Sequence, residues 1–113
     1  MSVRHALAEA VSDVEGYNVT PYYRQTTKAG DGFVSFAGTT PSENGFGWMD
    51  AWQILVILGG DLKASEIRLD DDLDKILDAL DPHLIVTQVT PSQIAFDTSV
   101  VSALVIEGVR ARD

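Results

Sequence analysis

The first apolar pattern in the chain has the period of a helix. Between Val3 and Val14 apolar side chains recur three and four positions apart, which is the spacing along one face of an α-helix. Ser2 is a favourable N-cap, and Gly16 is a favourable residue for ending a helix. The pattern therefore predicts an amphipathic helix from about Val3 to Val14.

Two strands are predicted after this helix. Tyr17–Tyr23 is rich in β-favouring side chains, and Pro21 within it favours an edge position, because proline cannot donate a ladder hydrogen bond. Gly32–Thr39 alternates between two faces, beginning with Phe33 on one and Val34 on the other. These strands predict the first part of a sheet.

Two long loops flank the second of these strands. Arg24–Gly32 is rich in turn residues, and Gly38–Gly47 holds three glycines and a proline. Each segment is about ten residues long, which is more than a tight hairpin needs. Because long loops on a rigid sheet often bind a partner or become ordered on assembly, these two are the best functional candidates.

Trp48–Leu58 has the strongest strand pattern in the chain. Its second half, Ile54–Leu58, is apolar on both faces, which predicts a strand buried on both sides at the sheet centre. In such a strand Trp48 and Trp52 share one face. Core packing explains the pair, and an alternative is that Trp48, next to a glycine-rich loop, anchors a partner.

A second amphipathic helix is predicted from about Lys63 to Leu80. Asp61 is a suitable N-cap, and Pro82 is suitable for ending the helix. Its apolar stripe consists of Leu69, Leu73, Ile76, Leu77 and Leu80. The remaining face is strongly acidic and contains Glu66, Asp70, Asp71, Asp72, Asp74, Asp78 and Asp81.

Three more strands are predicted at the end of the chain. They are Leu84–Thr90, Gln93–Phe96 and Ser99–Arg110, separated by turns at Pro91-Ser92 and Asp97-Thr98. The element order is then α-β-β-β-α-β-β-β. We therefore expect an α+β fold, with a mixed, mostly antiparallel sheet of about five to six strands and both helices packed on one face.

Composition narrows the classes of function. The 113 residues suit a single domain spanning 1–113, and the absence of cysteine excludes disulfides, thiolate metal sites and cysteine nucleophiles. Eight scattered basic residues and a formal net charge of −9 argue against a duplex-binding surface. No signal-peptide core follows the N-terminus, and the longest apolar run, Ile54–Leu58, is too short to span a bilayer, so we expect a cytoplasmic protein.

One acidic segment partly matches a calcium-binding loop. Asp70, Asp72 and Asp74 have the spacing of its first three ligands. Such a loop needs glycine at its sixth position to turn sharply, and Lys75 stands there. The helical stripe also continues through this segment, so a solvated acidic helix face is the favoured interpretation.

The remaining candidates for chemistry are isolated residues. His5 and His83 lie far apart in sequence, each without a neighbouring cysteine or second histidine. The segment Gly59-Gly60-Asp61 lies between a strand and a helix, where phosphate-binding loops occur, but it lacks their lysine and its carboxylate would repel phosphate. We therefore expect no catalytic residue, no metal site, no cofactor and no enzymatic activity.

The whole pattern resembles the tail terminator proteins of long-tailed, siphovirus-type bacteriophages, particularly those of actinobacterial hosts. The resemblance covers most of the chain. It is carried by Glu15-Gly16-Tyr17 after the opening helix, Trp52–Leu58 (WQILVIL), the acidic helix Leu69–Leu80, Val86–Pro91 (VTQVTP) and Leu104–Gly108 (LVIEG).

The resemblance implies a structural virion protein rather than an enzyme. Such proteins form a ring, expected to be a hexamer, that caps the tail tube, ends its polymerisation and joins the tail to the head connector. Its partners would be further copies of itself, the major tail tube protein and the head-closure protein, with DNA only passing through the lumen and no membrane involved. It would lie at the head–tail junction of the virion after assembly in the host cytoplasm.

The resemblance also turns the loops and the acidic helix into candidate sites. The expected contacts with a neighbouring subunit or the tube are Arg24, Thr27, Lys28, Asp31, Thr39, Glu43, Asn44, Phe46 and Trp48. A negative wall would repel passing DNA, so the candidates for the lumen or ring surface are Asp70, Asp71, Asp72, Asp74 and Asp78. The alternatives are another phage neck protein, such as a head-closure or tail-completion subunit, and a small ligand-binding domain.

Overall fold

The computed structural model describes residues 2–96 and 99–112. The elements, in chain order, are α1 (Val3–Ser12), β1 (Asn18–Thr20), β2 (Asp31–Pro41), β3 (Trp48–Gly59), α2 (Leu62–Leu80), β4 (Ile85–Phe96) and β5 (Ser99–Ala111). The strands form a five-stranded sheet in the order β1-β2-β3-β5-β4, in which β1 and β2 are parallel and the other neighbours antiparallel. The expected α+β fold with a mixed, mostly antiparallel sheet is confirmed.

Both helices contribute to one hydrophobic core with the sheet. Leu7 of α1 and Leu80 of α2 are fully buried in the same cluster. Four strands of the sheet supply buried residues to that cluster, and these alternate along β3 and β5, as expected when one face is covered: Val19, Val34, Trp52, Ile54, Val56, Leu58, Leu104 and Ile106. Each fully buried Leu or Ile side chain contributes roughly 1.5–3 kcal/mol to folding, so this layer holds the helices in place.

The helix starts follow from local capping. The Ser2 hydroxyl accepts a hydrogen bond from the His5 backbone N–H at 3.2 Å, and the Asp61 carboxylate accepts one from the Lys63 N–H at 3.1 Å. Both caps are the predicted ones, because they depend only on residues two or three positions away. The first helix ends at Ser12, two residues before the predicted end.

The strand β3 lies at the centre of the sheet, as its sequence predicts. It pairs with β2 on one side and β5 on the other. Ile54 and Val56 face the helices, while Ile57 belongs to a second buried cluster together with Val101 and Ala103 of β5. Burial on both faces explains why this stretch is apolar without alternation.

The predicted ten-residue loop at Gly38–Gly47 is wrong, because β2 continues to Pro41. Gly38 has φ +130° and lies where the pairing register shifts between Phe36 and Gly38. Such a bulge accommodates an extra residue without ending the strand. Pairing resumes beyond it and reaches Pro41 opposite Trp48, so the loop is only residues 42–47.

The predicted turn at Pro91-Ser92 is also wrong. Pro91 lies within β4, opposite Leu104 of β5, so that α2 is followed by two long strands instead of three. Because β4 is an edge strand, one side of Pro91 needs no ladder partner and the missing N–H is tolerated. The predicted turn at Asp97-Thr98 lies outside the described residues.

The first strand is shorter than predicted and lies at the opposite edge. Of Tyr17–Tyr23 only Asn18–Thr20 is strand, and it pairs in parallel with the start of β2. It lies at an edge, as predicted, but Pro21 is not within it, because the strand ends at Thr20. The irregular segment that follows extends to Gly30, and Gly32, predicted to end the loop, already lies in β2.

Candidate functional site

The tip of the β2–β3 hairpin, residues 42–47, presents an exposed aromatic side chain on an ordered turn. The Ser42 backbone N–H donates to the Gly47 carbonyl at 3.1 Å, and the Gly45 N–H donates to the Ser42 carbonyl at 3.0 Å. The Asn44 Oδ1 atom accepts from the Phe46 N–H at 2.9 Å. These bonds fix the backbone, while the Phe46 side chain remains 82% exposed.

The stem of this hairpin is tied to the end of β5. The Arg112 guanidinium donates to the Asp50 carboxylate at 3.0 and 3.1 Å, and the Arg112 backbone N–H donates to the Trp48 carbonyl at 2.9 Å. Hydrogen bonding from Arg112 holds the pKa of Asp50 below its usual range. The Thr39 hydroxyl donates to the Met49 carbonyl at 3.2 Å across the stem. These hydrogen bonds therefore hold the stem that supports the hairpin tip against the end of β5.

The two tryptophans of β3 have different surroundings. Trp52 is buried and packs edge-to-face with Phe36, at 5.0 Å between ring centroids. Trp48 lies next to the hairpin tip and is 50% exposed. One tryptophan therefore belongs to the core, and the other is half-exposed, two positions after the exposed Phe46.

The predicted contact residues around the loop before β2 fall into two groups, those paired within the fold and those exposed to solvent. Arg24 forms an ion pair with Asp31 at 3.1 Å, and the Thr26 hydroxyl donates to the other oxygen of Asp31 at 2.9 Å. Asp31 is buried, so this pair holds the loop onto the start of β2. Thr27 and Lys28 are exposed and available for contact.

The acidic residues of α2 do not all face solvent. Asp70, Asp71, Asp74 and Asp78 are exposed. The Asp72 carboxylate instead accepts a hydrogen bond from the Tyr17 hydroxyl at 2.6 Å. The exposed acidic face of α2 therefore consists of the other four aspartates, Asp70, Asp71, Asp74 and Asp78.

Tyr17 connects α2 to the segment between α1 and β1. The Arg68 Nε–H donates to the Tyr17 hydroxyl at 3.1 Å, and the guanidinium carbon lies 4.6 Å from the centre of the tyrosine ring. Burial, with the hydrogen bond to Asp72, raises the pKa of Tyr17 to about 12. A second Arg68 N–H donates to the Gly16 carbonyl at 2.7 Å. Asp72 and Arg68 thus have structural partners within the fold.

An apolar cleft, not foreseen from the sequence, lies between the start of α2 and the β4–β5 hairpin. Its volume is about 520 Å³. Leu62 borders it and is 59% exposed. Leu62 lies seven positions before Leu69, so the apolar stripe of α2 extends to the first residue of the helix, and that extension is the sequence signal for the cleft. The lining residues are Leu58, Leu62, Ser65, Glu66, Leu69, Pro91, Ser92, Gln93, Ser102 and Ala103.

The isolated residues considered for chemistry lie in structural surroundings. His5 Nδ1 lies 2.6 Å from the Ser2 hydroxyl, and the His83 backbone N–H donates to the Leu80 carbonyl at 2.9 Å. Asp70–Asp74 is helical throughout, which rules out a calcium loop there. Among residues 2–96 and 99–112, no group of three or more His, Asp or Glu side chains is placed to hold a metal ion.

No helix in the described part of the chain is both long and apolar enough to cross a membrane. No protein-family model matches the chain, and no curated protein matches it significantly.

Proposed function

We propose that this chain is a structural subunit of a phage tail, forming the terminator ring that caps the tail tube and joins it to the head connector. The observation that carries the proposal is the hairpin tip, where Phe46 is held exposed on an ordered turn next to the half-exposed Trp48. Aromatic side chains held rigidly in solvent are typical anchors of protein interfaces, because little conformational entropy is lost on binding.

The exposed acidic face supports the same function. Its four carboxylates stand on one helix of a chain with a net charge of −9. A surface of this sign repels nucleic acid, which suits a conduit that DNA must pass without sticking. In the proposed ring this face lines the lumen or borders its opening.

The segments that carry the resemblance to tail terminators lie in regular elements of the fold. The motif Trp52–Leu58 forms the central strand, Leu69–Leu80 forms most of α2, and Leu104–Gly108 lies within β5. The proposal needs no cofactor and no reaction, because capping requires only a surface complementary to the tube end. The partners are further copies of the chain, the tail tube protein and the head-closure protein.

The test is tube assembly with purified components. The tail tube protein of the same phage is allowed to polymerise with and without this chain, and tube lengths are measured by electron microscopy. We expect the chain to stop elongation and to appear as extra density at one tube end. Unchanged tube lengths with bare ends would overturn the proposal.

The alternative function is that of another phage neck protein, and a second experiment separates it from the terminator. A head-closure subunit would use the same exposed aromatic hairpin, but it would bind the portal complex. Co-purification with tagged portal and tagged tube protein in parallel distinguishes the two. The terminator is retained by tubes, and a head-closure subunit is retained by the portal.

A further inference from the structure

The chain has two asparagines, and both side chains are exposed. Asn18 lies in β1 and is followed by Val19, whereas Asn44 lies in the hairpin tip and is followed by Gly45. The side-chain amide carbon of an asparagine, Cγ, is an electrophile that the backbone nitrogen of the next residue can attack to form a cyclic imide. The residue that follows each asparagine therefore decides whether this reaction is open to it.

The side chain of Asn44 is folded back over Gly45. Its Oδ1 atom accepts a hydrogen bond from the Phe46 N–H at 2.9 Å, and the Ser42 hydroxyl donates to the same oxygen at 2.6 Å. The bond to Phe46 closes a ring of atoms around Gly45, so the amide group of Asn44 is held beside the Gly45 backbone. Donors on Oδ1 also stabilise the negative charge that develops on this oxygen when a nucleophile attacks Cγ.

Gly45 leaves its backbone nitrogen free of steric hindrance. The residue is exposed, and a Cβ atom placed on it would meet nothing within 4 Å. Its φ of +77° lies in the left-handed region, which glycine adopts without strain. The Gly45 N–H donates to the Ser42 carbonyl at 3.0 Å, and this bond has to open before the nitrogen attacks. Opening costs little in an exposed turn, where water replaces the lost partner.

The backbone after Asn18 is closed to the same attack. Val19 is buried, and its N–H donates to the Ser12 hydroxyl at 2.9 Å. The side chain of Val19 is branched at Cβ, which crowds the nitrogen and restricts its approach. Asn18 itself is paired with Asp31 in the sheet. Of the two asparagines, only Asn44 therefore combines an activated amide with an accessible neighbouring nitrogen.

We propose that Asn44-Gly45 is a site of spontaneous deamidation in the folded protein. The Gly45 nitrogen forms a bond to Asn44 Cγ, the bond from Cγ to Nδ2 breaks, and Nδ2 leaves as ammonia with the proton of the Gly45 nitrogen. Water then opens the cyclic imide, its hydroxyl adding to one of the two carbonyl carbons and its proton returning to the nitrogen. Addition at Cγ gives aspartate, and addition at the main-chain carbon gives isoaspartate. Water is the only other reactant.

Deamidation changes the surface around Phe46. Either product replaces a neutral amide with a carboxylate beside Glu43, which makes the formal net charge one unit more negative than −9. The aspartate product keeps an oxygen that can accept from the Phe46 N–H. The isoaspartate product adds a methylene group to the main chain and so displaces the turn that holds Phe46. This inference goes beyond the proposed function and is independent of what the tip binds.

Incubation of the purified protein in mildly alkaline buffer tests the reaction. Samples taken over time are digested, and the peptides that contain Asn44 and Asn18 are followed by mass spectrometry for the replacement of an NH2 group by an OH group. We expect the rate at Asn44 to exceed that at Asn18 by about tenfold or more, because only the tip holds the amide and the nitrogen in position to react. Equal rates at the two asparagines would overturn the inference.

Two glycines of the tip provide a matched pair of variants. Gly45 and Gly47 have φ of +77° and +76°, and a Cβ atom on either would meet nothing within 4 Å. Gly45→Ala and Gly47→Ala therefore strain the turn alike, but only Gly45→Ala places a side chain beside the attacking nitrogen. We expect Gly45→Ala to slow deamidation about fivefold or more and Gly47→Ala to change it by less than about twofold. Equal slowing in both folded variants would contradict attack by the Gly45 nitrogen.

The products identify the cyclic intermediate, because direct hydrolysis of the side chain gives aspartate alone. Electron-transfer fragmentation distinguishes aspartate from isoaspartate in the tip peptide. We expect both at the position of Asn44, and no isoaspartate at Asp31-Gly32, where Asp31 is buried and paired with Arg24. Aspartate without isoaspartate would overturn the cyclic route. The measurement is a change of mass and connectivity in the isolated chain, so its failure leaves the terminator function standing, and failure to cap tubes leaves this site standing.

Discussion

The hydroxyl of Tyr17 donates a hydrogen bond of 2.6 Å to the carboxylate of Asp72, across 55 positions of sequence. This bond joins the segment after α1 to the middle of α2, and Arg68 completes it from the other side. One aspartate of the acidic helix therefore stabilises the fold, while its neighbours Asp70, Asp71, Asp74 and Asp78 remain exposed.

Removing the Tyr17 hydroxyl should lower stability. We expect Tyr17→Phe to reduce the free energy of unfolding by about 1–2 kcal/mol, because the variant lacks the hydroxyl that donates a hydrogen bond to the charged carboxylate of Asp72. Urea unfolding at neutral pH measures the change. Asp71→Asn, on the exposed face, is the control and should change stability by less than about 0.5 kcal/mol. Equal effects of the two variants would contradict this role of Tyr17.

Tyr17 should also make the stability of the protein decrease as the pH rises in the alkaline range. Its pKa is raised from 10.0 to about 12 in the folded protein, so the folded state holds the proton more tightly than the unfolded chain. This contribution is complete below about pH 10 and is lost as the pH rises through 12. The wild type should therefore lose more stability than Tyr17→Phe between pH 9 and 12. Parallel curves for both proteins would contradict it.

Asp50 should make the stability of the protein decrease as the pH falls in the acid range. Its pKa is lowered from 3.8 by hydrogen bonding from Arg112, so its contribution is present above that pH and is lost as the pH falls through the lowered value. We expect the wild type to lose stability below about pH 4 more steeply than Asp50→Asn. Thermal unfolding from pH 6 to pH 2 gives the comparison. Identical slopes of stability against pH for the two proteins would show that the bond between Arg112 and Asp50 does not stabilise the folded state.

The exposed acidic face should reduce stability. Asp70, Asp74 and Asp78 are spaced four residues apart, so their like charges repel along one side of α2. We expect Asp74→Asn to raise the free energy of unfolding by about 0.5 kcal/mol, because it removes the repulsion of Asp74 from Asp70, Asp71 and Asp78. A gain in stability combined with poorer phage production would indicate that the face is maintained for function. Lower stability would contradict the repulsion.

Close approach of two strands should make Gly32 intolerant of a side chain. A Cβ atom at Gly32 would lie 2.1 Å from the carbonyl oxygen of Leu55 in the paired strand, whereas a Cβ at Gly60 meets nothing within 4 Å. We expect Gly32→Ala to cost at least about 1–3 kcal/mol, as overpacking does, and Gly60→Ala to be close to neutral. Denaturant unfolding of the two variants provides the test.

The parts of the fold that the sequence predicts well are those decided by nearby residues. Ser2 and Asp61 cap their helices through atoms two or three residues away, and the apolar run of β3 requires burial on both faces. Pro91 and Gly38 were misleading because their effect depends on the neighbouring strand. Proline is tolerated at an edge, and a glycine bulge continues a strand instead of ending it.

In the candidate sites too, features decided by nearby residues are predictable from the sequence, and features decided by distant residues are not. The exposure of Phe46 and Glu43 follows from their place in a glycine-rich turn, which the sequence indicates directly. The pairing of Arg24 with Asp31, and of Tyr17 with Asp72, depends on long-range packing. The apolar cleft is also a product of packing, because it forms where α2 meets a hairpin that begins more than twenty residues after Leu62.

The most direct measurement for the proposed function is a cryo-electron microscopy reconstruction of the end of a tail tube assembled with this chain. We predict a closed ring of this subunit on the last tube ring, with the exposed acidic face at the lumen or its opening. A bare tube end at saturating concentrations of the chain, or binding along the tube wall, would contradict the account.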